Sequence, residues 1–197
     1  MPILTVAQLL GNLSRAGFGW SDIRWRPALL FGAGAVPASL VGARIFATLP
    51  AGMILRLIGA IVLLIVAVRH TAIGRRKVPE SLLAPAGAGV GLLSGIAGSA
   101  SPLGAAVFLG LRLPPRAYVA SEAVTAVLMH LTKSVAYRRY AAMTLDDLLS
   151  GIALGGALAL GSWTGRRLLE RIPEGGFALV VEGLLIVSGL VLIAGGR

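Results

Sequence analysis

At 197 residues, 56% hydrophobic and 13% charged, with a mean hydropathy of +0.87, the chain has about half the charged content of a soluble domain, in which about a quarter of residues are charged. That excludes a water-soluble core and indicates an all-α, polytopic membrane protein with no nucleic-acid partner, because a net charge of +10 is the ordinary surplus of Lys and Arg in cytoplasmic loops. No cysteine is present, which rules out disulfides and thiolate metal sites, and two His with few carboxylates give no reason to expect a metal or any cofactor.

In chain order, Met1 to Ser14 is apolar but too short to cross a bilayer alone. It has neither a basic leader nor a small-residue cleavage site, so it reads as the tail of a membrane helix rather than a signal peptide. Gly17 to Pro27 reads as a loop, with Arg24, Arg26 and two Trp suited to an interface. Ala28 to Leu49 is the first full span and Met53 to Val68 the second. Arg69 to Glu80 is a hydrophilic linker. Ser81 to Gly98 is a Gly-rich apolar segment, followed by a short piece from Pro102 to Leu111, about 15 Å long as a helix and so half a bilayer. A half-length segment beside a Gly/Ser break predicts a re-entrant hairpin, tolerated only where protein or a polar cavity shields the backbone. Tyr118 to Val135, Leu148 to Gly165 and Phe177 to Ala194 complete the spans.

The chain also resembles itself. Gly42-Ala43-Arg44 with Leu49-Pro50 matches Gly165-Arg166-Arg167 with Ile172-Pro173, and Leu10 to Arg15 (LGNLSR) matches Leu128 to Lys133 (LMHLTK) in the same order. Two ordered matches predict a duplicated unit. The expected division is 1–69 as a first repeat, 70–80 as a basic cytoplasmic linker and 81–197 as a complete second repeat. On this reading the first repeat is N-terminally truncated, its hairpin falling before Met1. With the linker cytoplasmic, Arg15, Arg24, Arg26, Arg112, Arg116, Arg166, Arg167 and Arg171 all lie inside, as the positive-inside rule requires. The matched loops then fall on opposite faces, the signature of an inverted-topology repeat.

Glu122, Ala126, His130, Lys133 and Tyr137 recur every three or four residues and share one stripe of their helix; Gln8, Asn12 and Arg15 form the equivalent stripe in the first repeat. Ionisable groups in hydrocarbon are costly and mark pathways or binding sites. The functional reading is a polar cavity in which Lys133, His130, Asn12 and Arg15 hold a small anion. Ser99, Ser101 and the positive end of the half-helix starting at Pro102 complete it, and Glu122 is the candidate for proton coupling. The plainer readings are that Lys133 snorkels outward beside Arg138 and Arg139, that His130 is a packing residue, and that Glu122 pairs with Arg112 or Arg116. Arg44, Arg167 and Glu182 read as framework charges. His-Glu-x-x-His, Gly-x-Ser-x-Gly and phosphate-loop signatures are absent, so no enzymatic activity is expected.

From Gly91 to Ala123 the chain resembles the TauE/SafE family of membrane permeases. The resemblance is carried by Gly91-x-x-Ser94-Gly95-x-x-Gly98, the small-residue break, Leu113-Pro114 and Ala117-x-x-Ala120-Ser121, and in the first half by Asn12 to Arg15 and Pro37…Gly42…Leu49-Pro50. It departs from the family at Ala100-Ser101-Pro102, where a Gly-Gly-Gly run would stand. The resemblance implies a multi-pass protein of the bacterial inner membrane that moves small sulfur-containing anions such as sulfite or organosulfonates, with proton coupling as an option. Its partners would be the anion and the bilayer, with self-association into a homo-oligomer left open. The rival expectations are a non-transporting membrane component derived from such a permease, and a cation permease, for which only Glu122 and Glu182 offer cavity carboxylates.

Overall fold

The structure, a computed structural model, describes residues 2–45, 51–71, 77–97, 101–140, 144–169 and 171–195. Eight α-helices make up nearly all of it: α1 (Pro2–Phe18), α2 (Trp25–Ile45), α3 (Ala51–Arg69), α4 (Leu83–Ala97), α5 (Ser101–Gly110), α6 (Pro115–Tyr140), α7 (Leu145–Leu169) and α8 (Glu174–Gly195). Short 3-10 turns at Trp20–Asp22 and Glu80–Leu82 lead into α2 and α4. Among the described residues, Trp25–Ile45, Glu80–Ala97, Leu145–Leu169 and Gly176–Gly195 are long and apolar enough to cross a membrane. Large apolar side chains such as Leu160 (70% exposed) and Leu179 (68%) point outward. In water such a surface would aggregate; in a bilayer it is the lipid face.

Several helices are longer than their apolar runs. The first reaches Phe18, and α2 starts at Trp25, so Arg26 and Pro27 belong to its first turn rather than to a loop. Proline is tolerated there because first-turn N–H groups have no intrahelical acceptor. Trp20 and Trp25 meet edge-on at 5.1 Å between centroids beside these turns. Helix α6 extends at both ends to 26 residues, about 39 Å at 1.5 Å per residue, longer than the hydrocarbon core. At the start of α7, Thr144 and Asp147 cap one another. The Asp147 amide donates to Thr144 Oγ1 at 3.1 Å, and the Thr144 amide donates to Asp147 Oδ2 at 3.1 Å, so two donors at the helix start are satisfied.

The α4–α5 hairpin enters and leaves at one end of the bundle. Glu80, just before α4, pairs with Arg26 at 3.0 Å, while Gly110, the last residue of α5, accepts from the Val78 amide at 3.1 Å. Segment 98–100, between α4 and α5, lies outside the described residues, as does 72–76 of the basic linker. Also gathered at this end are Arg15, Arg24, Arg69, Arg112, Arg116 and Arg166, with Asp22 among them.

The closest helix pair is α2 with α4. A Cβ on Gly87, Gly91 or Gly95 would collide with the carbonyls of Phe31, Ala35 and Ser39, and one on Gly34 or Gly42 with those of Ala84 and Leu92. Both partners step by about one turn, so the two backbones run in contact over three turns of α4. Lipid offers no hydrophobic drive for helices to associate, and close backbone packing of this kind takes its place. Around this seam Phe31 meets Phe108 of α5, and Tyr118 of α6 meets Phe177 of α8, both edge to face. Ile58, Val62, Leu103 and Leu185 fill the space between α3, α5 and α8.

Candidate functional site

Helix α6 is the polar axis of the bundle. Ser121, Glu122, Thr125, His130 and Lys133 are all buried on it. Lys133 is completely enclosed, and its Nζ donates to Ser94 Oγ on α4 at 3.0 Å. The direction of that bond follows from helix geometry: side chains tilt toward the N-terminus of their own helix, so the ammonium reaches back from the far end of α6 toward the middle of the bundle. It does not snorkel outward. One turn earlier, His130 is 2% exposed and its Nδ1 has no hydrogen-bond partner among the described residues; the Ser134 hydroxyl, beside Lys133, is likewise unpartnered. Buried polar atoms without partners are rare, and each asks for a ligand or water to satisfy it.

A second polar group lies roughly 16 Å nearer the basic end, at Glu122, measured along the axis of α6. Its Oε2 accepts from Arg15 on α1 at 2.6 Å, and Arg15 also donates to Asn12 Oδ1 at 3.0 Å. Asn12 in turn donates to the Gln8 carbonyl at 2.8 Å. Glu122 is 8% exposed and Arg15 32% exposed, so the carboxylate is the interior member of the pair and the guanidinium opens toward the basic end. The partner of Glu122 is therefore Arg15, not Arg112 or Arg116. A Cβ on Gly104 would come within 3.9 Å of Glu122 Oε1, which places the carboxylate against the N-terminal half of α5.

The residues expected to form one cavity thus fall into two groups. Lys133 and His130 share the central one with Ser94. Asn12, Arg15 and Glu122 form the other, where the stripes of α1 and α6 meet. Ser101 starts α5, and its side chain is exposed. Ser99 lies outside the described residues, as does the side chain of Tyr137. Ser94 was the residue that sequence reasoning passed over. It stood inside a Gly-rich packing run, and only the seating of α4 beside α6 brings its hydroxyl to Lys133. Of the framework charges, Glu182, 9% exposed, accepts from Arg69 at 2.7 Å and lies 3.4 Å from His70, tying α3 to α8, while Arg167 lies over the Trp163 ring at 3.9 Å.

A membrane bundle with a hairpin that enters and leaves at one end, and with a cation and an unpartnered imidazole buried beside it, belongs to the class of polytopic transport proteins. The particular family is given by comparison of the whole chain. The family described as Sulfite exporter TauE/SafE matches residues 1–192, and the chain belongs to this family of membrane permeases. No curated protein and no solved structure matches the chain.

Proposed function

We propose that the chain is a bacterial inner-membrane permease for small anions, sulfite or short organosulfonates, that binds its substrate beside Lys133, Ser94 and His130. The observation that carries this reading is Lys133: a cationic side chain, 0% exposed, held at a hydroxyl in the interior of a membrane bundle. Such a group is retained against its desolvation cost where it meets a ligand. An anion there would gain a charge-assisted hydrogen bond from Nζ and occupy the donors that His130 and the start of α5 provide. The basic end faces the cytoplasm, in keeping with its many arginines. Glu122 is the coupling carboxylate: taking up a proton would release Arg15 and change the charge along the path between the cytoplasm and Lys133.

The division into inverted repeats is part of the same proposal, and the helix pairing supports it. Exchanging α1 with α6 and α2 with α7 turns the α1–α7 contact into the α2–α6 contact, and both are present. The exchange holds at single residues. Leu10 packs on the Gly155 position as Leu128 packs on Gly32, and Leu10 matches Leu128 in the duplicated sequence. Arg15 and Lys133 are then equivalent cations, one in each repeat.

The test is flux of labelled sulfite and of a short organosulfonate into proteoliposomes, with and without a pH gradient. Lys133→Ala is expected to lower saturable flux at least tenfold in protein that remains helical and monodisperse, and Glu122→Gln to abolish the effect of the gradient. Undiminished flux in folded Lys133→Ala protein would sink the assignment of the site.

A further inference from the structure

Glu122, Ala126, His130 and Ser134 follow one another at four-residue steps and so form a row along α6. Arg15 bonds Glu122 and Gly19 lies against Ala120, so α1 and α6 run antiparallel, and the same register sets Gln8 and Thr5 of α1 level with His130 and Ser134. The seam between the two helices is thus polar well beyond the Arg15–Glu122 pair. Two atoms in the row, His130 Nδ1 and Ser134 Oγ, are enclosed and have no hydrogen-bond partner among the described residues. Ser134 breaks a pattern. Ser14, Ser39, Thr125, Thr132 and Ser162 each donate to a carbonyl three or four residues back on their own helix, the local bond by which a helical hydroxyl is satisfied, whereas Ser134 Oγ makes no such bond. Two enclosed polar atoms left bare on neighbouring turns carry a cost that a bound group would remove.

We propose that His130 Nδ1 and Ser134 Oγ bind a neutral hydroxyl group on the substrate, so that the permease prefers short sulfonates that carry a hydroxyl over those that do not. The inference rests on the reading of Lys133 as the anion site, with the sulfonate at Nζ and the hydroxyl one turn away. Residues four apart on a helix have Cβ atoms about 5–6 Å from each other, a gap that one bridging oxygen spans. A hydroxyl can donate to one atom and accept from the other whichever nitrogen of His130 carries the proton, because the Ser134 hydrogen turns to suit. Charged groups fit less well. An ammonium would stand beside Lys133, like against like, and a carboxylate would bring a second negative charge where Arg15, the next cation along the seam, is already held by Glu122. A trapped water, which has the same donors and acceptors, is the rival occupant.

The experiment compares flux of 2-hydroxyethanesulfonate with that of 1-propanesulfonate, in which a methyl group replaces the hydroxyl, in proteoliposomes of the full chain beside the Lys133→Ala protein. The ratio of kcat/KM is expected to favour the hydroxylated anion roughly tenfold, the effect of one or two neutral hydrogen bonds, and to fall to roughly threefold or less in Ser134→Ala. A ratio near one in the wild-type protein, with saturable flux of both anions that Lys133→Ala abolishes, gives the two atoms to water and overturns the hydroxyl site while leaving the anion site standing. A ratio unchanged in folded Ser134→Ala protein also overturns it. Absence of saturable flux for either sulfonate removes the permease reading and the hydroxyl site with it.

Discussion

Lys133 and Arg15 stand at the same step of two matched segments, yet their surroundings differ. Lys133 is completely buried and bonded to Ser94 of the α4–α5 hairpin; Arg15 is a third exposed and bonded to Glu122, a carboxylate from α6. The helices behind them differ in the same sense. Helix α2 is lined by α4 through backbone-to-backbone contacts and buries Ala28, Phe31, Gly32, Ala35, Ser39 and Gly42, whereas Leu145–Leu169 buries Gly151 and Gly155. Where the hairpin seats, a cation can be enclosed with a neutral partner. Where the described residues leave the helix face open, the matching cation lies nearer the surface and is held by an acid. The hairpin, more than the residue type, sets the environment of the cation.

This contrast predicts a graded series of effects. The largest is at the seam: Gly91→Leu drives a side chain into the Ala35 carbonyl and should cost about 3 kcal/mol or more, read as loss of monodisperse protein and a fall in the melting temperature. Next, Ser94→Ala removes the hydroxyl from Lys133; a hydrogen bond to a charged group contributes about 1.5–3 kcal/mol, so flux should fall roughly tenfold or more with little change in folded yield. An intermediate and asymmetric effect is expected at the second cation. Arg15→Met strands a buried carboxylate, while Glu122→Gln leaves an arginine that can turn to water. The former should destabilise by about 1–2 kcal/mol, discounted from a fully buried pair because Arg15 is partly exposed, and the latter by less, in denaturation of the reconstituted protein. Equal costs for the two would break the distinction between interior acid and peripheral base. The smallest effect is at Gly161→Leu, which fills open space on α7 and should stay within about 0.5 kcal/mol. A cost like that of Gly91→Leu would mean that the α7 face is packed after all.

Much of the framework was legible from residue type and spacing. Each apolar run located a helix, four of them long and apolar enough to cross a membrane among the described residues, and the Ser/Gly break and ten-residue segment foretold the hairpin, because a piece that short cannot cross a bilayer. Helix ends were read less well. Trp25, Arg26, Arg116 and Tyr140 are polar or interfacial residues that continue a helix beyond its apolar core, and hydropathy stops counting where the bilayer ends while backbone hydrogen bonding does not. The site was half legible: the stripe of Glu122, His130 and Lys133 follows from helical periodicity, which a single segment contains. Ser94 does not, since a hydroxyl in a Gly-rich run has no distinguishing spacing.

By itself the sequence determined that this protein is a helical membrane bundle, which helix carries the interior charges and which end is basic, since each depends on composition and local period. The tertiary structure decided who meets whom. It separated one expected cavity into a Lys133–Ser94 centre and an Arg15–Glu122 pair, because those partnerships join residues 39 and 107 positions apart and are set by how α4 and α1 seat on α6, where close backbone contact at small residues outweighs any local preference of the chain.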